Sequence, residues 1–175
     1  MINVIGLSHQ TAPVEIREKF SIPQERAKGF LAEMAGLPGF QEGLILSTCN
    51  RLEMVIVTEG GGESIAGLQK FMARIGGMAE HELSPYVYTF EGEAAVSHLF
   101  RVASSLDSMV LGEPQILGQV KDAYQQAVEC RASGVVLNKL FHRSFSVAKR
   151  VRTETKIASH AVSVSFAAVE LAKKI

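Results

Sequence analysis

The 175-residue chain is short of several things, and each shortage closes off a class of protein. Only two cysteines occur, Cys49 and Cys130, well apart in the chain. Two isolated thiols make neither a disulfide framework nor a zinc site, so both are expected to be free in a reducing, cytoplasmic setting. There is no run of about 18 apolar residues, and no membrane-spanning helix is expected. The opening Met1-Ile2-Asn3-Val4 lacks the basic, then apolar, then small-residue order of a secretory leader. None of the five histidines stands four residues from another, so no metal centre is expected. Neither phosphate-cradling glycine pattern, G-x-G-x-x-G or G-x-x-x-x-G-K-[ST], occurs in the chain. Gly60-Gly61-Gly62 therefore reads as a plain loop, and no nicotinamide cofactor site is visible.

What is present suits a globular protein, with 47% apolar and 21% charged residues. The length suits one large domain or two small ones. Net formal charge is zero, but residues 1–130 carry nine Lys/Arg against sixteen Asp/Glu, and residues 131–175 nine against two. A basic C-terminal stretch fits a polyanion surface or a merely solvated helix face.

Periodicity gives a strand over Asn3–Ser8 and a helix starting near Ser21-Ile22-Pro23-Gln24, with Ser21 as its cap. Gly43–Ser47 and Leu52–Thr58 read as a hairpin whose tip is Thr48-Cys49-Asn50-Arg51. A helix carrying Ile65, Leu68, Phe71, Met72 and Ile75 follows, then a strand over Tyr86–Phe90. Strand, helix, strand, strand, helix, strand is the split βαβ order of ferredoxin-like folds. Everything after Glu91 reads as helical: Gly92–Leu106, Pro114–Arg131, Leu137–Thr155 and a last helix from Val162 still running at Ile175. The expected class is α+β. A ferredoxin-like part (1–91) and a helical part (92–157) form one domain, and 158–175 begin a long spinal helix of a longer chain.

Cys49 is the first candidate for chemistry. A thiol at a hairpin tip beside Arg51 suits a nucleophile, because a guanidinium favours the thiolate. A small buried hydrophobe is the alternative. Cys130 sits in a polar helix end, Glu129-Cys130-Arg131, and reads as incidental. His98, Arg101, Ser105 and Ser108 stand three, four and three residues apart, which on one continuous helix would line a cleft. A satisfied structural histidine competes with that reading. Glu113-Pro114-Gln115 opens a helix, with Gln119 one turn on, and capping explains the segment without any ligand.

In order along the chain, GLSHQTAPVEIREKF (6–20), LSTCNRLE (46–53), HLFRVASSLDSMVLGEPQILGQVKDAY (98–124), AKRVRTET (148–155) and AVSVSFAAVELA (161–172) resemble the glutamyl-tRNA reductases. Ser105 and Lys156 depart from positions where that family usually has glycine. The resemblance implies that the Cys49 thiolate attacks glutamyl-tRNA to form a thioester. NADPH then reduces it to glutamate-1-semialdehyde, at the start of tetrapyrrole synthesis. It further implies that Arg51 pairs with the substrate carboxylate, that Thr48, Asn50, Ser108, Glu113, Pro114, Gln115 and Gln119 line the glutamate pocket, and that His98 orients substrate or donates a proton. The NADPH-binding and dimerisation domains are expected outside these residues. Glutamyl-tRNA, a second subunit and the downstream aminotransferase are the partners it suggests. Two other functions fit the residues. One is a thiol hydrolase with Cys49 as nucleophile and His98 as base. The other is a tRNA-binding module using Lys139, Arg143, Lys149, Arg150 and Arg152.

Overall fold

All eight residues of Arg51–Thr58 are buried, which requires a sheet covered on both faces. The computed structural model describes residues 1–59 and 62–158, with Val169, Ala172 and Lys173. In chain order the elements are β1 (Ile2–Ser8), α1 (Val14–Arg17), α2 (Gln24–Met34), β2 (Phe40–Ser47), β3 (Arg51–Thr58), α3 (Gly62–Gly76), α4 (Glu80–Leu83), β4 (Tyr88–Glu91), α5 (Gly92–Ala103), α6 (Gln115–Glu129) and α7 (Val135–Glu154). Short 3-10 turns lie at Glu18–Phe20, Ser84–Tyr86 and Lys156–Ala158.

The four strands form an antiparallel sheet in the order β2-β3-β1-β4, the order that a split βαβ chain produces. Side chains alternate across it. Leu52, Met54 and Ile56 join Ile5, Leu7 and Ile45 beneath α2 and α3, where Leu31, Met34, Leu68 and Met72 complete one core. Val55 and Val57 face the other way with Val4, Leu44 and Leu46, and meet Leu99, Val102, Val120, Leu137 and Phe141 of α5–α7. Each such side chain contributes roughly 1.5–3 kcal/mol when fully buried. The three later helices thus share a core with the sheet.

Local expectations needed three adjustments. Ser21 does not cap α2; Pro23 holds the cap position without a side-chain bond, because the Glu18–Phe20 turn bends the chain just before it. The fourth strand begins at Tyr88 rather than Tyr86, since Ser84–Tyr86 is wound around Pro85. The helix expected to reach Leu106 ends at Ala103, because Ser105 adopts φ +59°, the left-handed stop of a helix C-terminus. That conformation suits glycine best, and here serine adopts it. α1, α4 and the 3-10 turns had no clear sequence signal. Of the helix expected from Val162, all but Val169, Ala172 and Lys173 lies outside the described residues.

Candidate active site

The β2–β3 hairpin ends in a tight turn built by Thr48. Its N–H donates to Arg51 O at 2.9 Å, while its Oγ1 accepts from the N–H groups of Asn50 and Arg51, both at 3.1 Å. The His9 N–H donates to Asn50 O at 2.9 Å, which pins the tip to the turn after β1. Cys49 stands on this braced tip, exposed and free.

Across from the tip runs the segment between α5 and α6. It closes on itself: Gly112 N–H donates to Ser105 O at 3.1 Å, and Ser105 Oγ donates to Glu113 O. Gly112 sits at φ +80°, and a Cβ there would overlap the Ile157 carbonyl, so this segment is also wedged against the chain that follows α7. Tip, segment and the first turns of α6 enclose an open cavity of about 370 Å³.

Thr48, Cys49, Asn50, Arg51, Ser108, Glu113, Gln115 and Gln119 all line that cavity, together with Arg17, Met109 and Ile116. Two residues singled out from the sequence do not. Pro114 occupies the N-cap position of α6 and shapes the wall without lining it. His98 is turned into the protein, 8% exposed, stacked on Phe90 at 4.6 Å between ring centroids. Its expected alignment with Ser105 and Ser108 fails because α5 stops at Ala103, and Arg101 of the same line is exposed. Cys130 packs half-buried against the α2–α3 core, as a small hydrophobe would.

His98 belongs instead to a buried polar cluster. Three donors converge on one oxygen of Glu53: Arg51 Nη1 at 2.7 Å, Tyr88 OH at 2.6 Å and His98 Nε2 at 2.8 Å. Burial alone would push the Glu53 carboxyl up, but the His98 hydrogen bond, the Arg51 charge and the Tyr88 hydroxyl together bring it down to about 2. An ionised carboxylate only accepts, so Nε2 of His98 carries the hydrogen and donates. Tyr88 is held protonated by burial and then by the Glu53 charge. On its other side Arg51 Nη2 donates to the carbonyl of Asp107 and, at 3.0 Å, to its carboxylate. The guanidinium, 3% exposed, is thus clamped between β3 and the cavity wall, its charge compensated by two carboxylates.

Sequence reading missed Glu53, Tyr88, Asp107 and Arg17. The available signal was Arg51-x-Glu53 inside a strand, because a period of two puts both charges on one face.

Comparison with known proteins completes the picture. The family described as glutamyl-tRNAGlu reductase, N-terminal domain, matches residues 5–155. The chain is 55% identical over 174 residues to the glutamyl-tRNA reductase of Trichlorobacter lovleyi, covering 99% of this chain and 40% of that protein. For the one from Syntrophotalea carbinolica the values are 56% over 172 residues, with 98% and 39% covered. A solved structure of glutamyl-tRNA reductase from Methanopyrus kandleri matches with a TM-score of 0.71 and 34% identity, over 99% of this chain and 39% of that one. The chain therefore spans about two fifths of the length of these relatives. With the matched residues running from β1 through α7, the chain belongs to the glutamyl-tRNA reductase N-terminal domain family.

Proposed function

We propose that this chain carries out the acylation half of glutamyl-tRNA reduction, at Cys49. The supporting observation is an exposed thiol on a braced hairpin tip, lining a cavity of about 370 Å³ that Arg51 and Glu113 also line. Cys49 Sγ attacks the ester carbonyl of glutamyl-tRNA. A carbon–sulfur bond forms, the bond to the tRNA ribose oxygen breaks, and the thiol proton ends on that oxygen. Arg51 uses three of its five N–H donors on Glu53 and Asp107, and one of the remaining N–H groups donates to the substrate side-chain carboxylate. Glu113 is placed to receive the α-ammonium group, and Thr48, Asn50, Ser108, Gln115 and Gln119 to hold the polar backbone of the amino acid.

The exposed face of α7 is where tRNA phosphates would lie. Lys139, Arg143, Lys149 and Arg150 are exposed along it, Glu154 is the only acid in the helix, and its far end flanks the cavity segment where Ala148 meets Leu117. The hydrolase alternative loses support, because its intended base, His98, is buried and donating to Glu53. Among the described residues no helix is long and apolar enough to cross a membrane.

The described residues do not fit a dinucleotide: the sheet is antiparallel and offers no crevice between parallel strands, and both glycine fingerprints are missing. NADPH-dependent reduction to the semialdehyde, dimerisation, hand-over to an aminotransferase, a catalytic domain of residues 1–157 with a spinal helix after it, and a cytoplasmic setting complete the proposal. Mass spectrometry after mixing with glutamyl-tRNA tests the acylation. A glutamyl adduct that disappears in Cys49→Ser is expected; an adduct on another residue, or none, refutes it.

A further inference from the structure

We infer that Glu53 is the positioning residue of the site, and that His98 and Tyr88 act through it on Arg51 rather than on the substrate. The inference rests on the proposed reading of Arg51 as the group that receives the substrate carboxylate.

Glu53 is fully buried in the strand that ends the hairpin, two residues from Arg51 and on the same face. The sheet is built around it. Gly6 of β1 pairs with Glu53 on one side and with Tyr88 of β4 on the other. A Cβ on Gly6 would come within 2.8 Å of the Glu53 side chain, so the absent side chain leaves the space across which Tyr88 OH reaches the carboxylate. α5 covers the same spot with His98, whose ring is held by Phe90 and by Tyr88 at 5.4 Å.

An isolated carboxylate in that position would be strongly disfavoured. Three donors on Oε1 stabilise it, while Oε2 is buried with no hydrogen-bond partner among the described residues. Every bond Glu53 makes therefore pulls from one side. Together they fix where the Arg51 guanidinium sits, and Arg51 in turn holds Asp107 of the opposite cavity wall. Four elements, β3, β4, α5 and the α5–α6 segment, thus meet in one chain of charge-assisted hydrogen bonds that ends at the cavity. His98 stands two links from the cavity, and its effect has to pass through Glu53 and Arg51.

Glu53→Gln keeps an oxygen for the three donors and removes the charge. The readout is the preference of Cys49 acylation for glutamyl-tRNA over glutaminyl-tRNA, which lacks the carboxylate. Loss of one charge-assisted contact predicts a fall in that preference of about ten- to hundredfold for Glu53→Gln, and about three- to tenfold for His98→Gln, whose amide N–H can still donate in part to Glu53. The double variant falls no further than Glu53→Gln alone, because both act on one group. Cys49 alkylation by iodoacetamide, which needs no carboxylate recognition, stays within about twofold and reports that the tip is intact. A preference retained in Glu53→Gln, or losses that multiply in the double variant, overturns the inference. Should Glu53→Gln fail to fold, Tyr88→Phe replaces it in the same comparison, with the same outcomes. If the wild-type protein forms no glutamyl adduct, it is the reading of the site that fails. Positioning is then decided by ¹⁵N NMR of the Arg51 guanidinium, where averaging of its resonances in Tyr88→Phe or Glu53→Gln is expected and unchanged resonances refute it.

Discussion

α7 begins without a capping side chain of its own, because Gly134 occupies its N-cap position. The missing acceptor comes from the sheet. Glu42 of β2 takes the N–H of Gly134 at 2.9 Å and of Leu137 at 2.7 Å on one oxygen, and that of Val136 at 2.9 Å on the other. The carboxylate is 9% exposed and lies at the positive end of a 20-residue helix. Hydrogen bonds to a charged acceptor contribute about 1.5–3 kcal/mol each, but three sharing one carboxylate do not add. Val136 is exposed enough for water to replace its bond, whereas Leu137 is fully buried. Glu42→Ala is therefore expected to remove about 3–4 kcal/mol, and Glu42→Gln about half of that, since the amide oxygen retains part of the cap. At roughly 2.1 cal/mol/K per residue, melting of a 175-residue chain then falls by about 8–11 °C for the alanine variant. Urea unfolding followed by circular dichroism measures the loss, with an unchanged slope expected. A loss below about 1 kcal/mol for Glu42→Ala would mean that the strand does not hold the helix, and the account of how α7 is docked would fail.

Two further outcomes follow from charge. The Glu53 carboxyl lies at about 2 in the folded protein against 4.5 ordinarily, so the unfolded chain binds more protons as the pH falls through that interval. The stability it supplies is complete above about pH 5 and is lost towards pH 2, by about 3 kcal/mol at roughly 1.4 kcal/mol per pH unit. The stability difference between wild type and Glu53→Gln should shrink over that range in denaturant titrations; a constant difference contradicts it. Charge reversal at Lys139, Arg143 and Lys149 should weaken tRNA binding at low salt and lower the slope of log affinity against log salt by about one per side chain. An unchanged slope in fluorescence anisotropy would place the tRNA elsewhere.

The parts legible in the sequence were those governed by local rules. Short apolar runs bounded by turn residues gave the four strands and their split βαβ order, and period 3.6 gave the existence of α3 and brought α6 and α7 nearly to their ends. Thr48, Cys49, Asn50 and Arg51 were legible as a hairpin tip because turn chemistry is local. What failed depended on contacts between distant residues or on a single dihedral. His98 was read along a helix that was assumed to continue, and one left-handed residue, Ser105, sends Ser108 to the cavity and leaves His98 behind. Asp107 and Tyr88 carry no sequence signal for Arg51, since only the folded sheet brings β4 and the α5–α6 segment to it.

Glu53 is a different case, because it was legible and overlooked. A strand in which Arg51 and Glu53 alternate with Leu52 and Met54 sends two charges to one face and two apolar side chains to the other. Both faces of β3 are covered, so the charges can be buried only where partners wait for them, and those partners are supplied by Gly6, Tyr88 and His98 on that face alone. A slip of β3 by one residue would turn Leu52 towards His98 and drive both charges into the α2–α3 core, which offers Leu31, Met34 and Leu68 in place of donors. The buried ion cluster therefore opposes the commonest error of a hairpin. The register it enforces is the one that sets Cys49 at the tip and Arg51 at the cavity, so the same charges that orient the site also select the pairing that creates it.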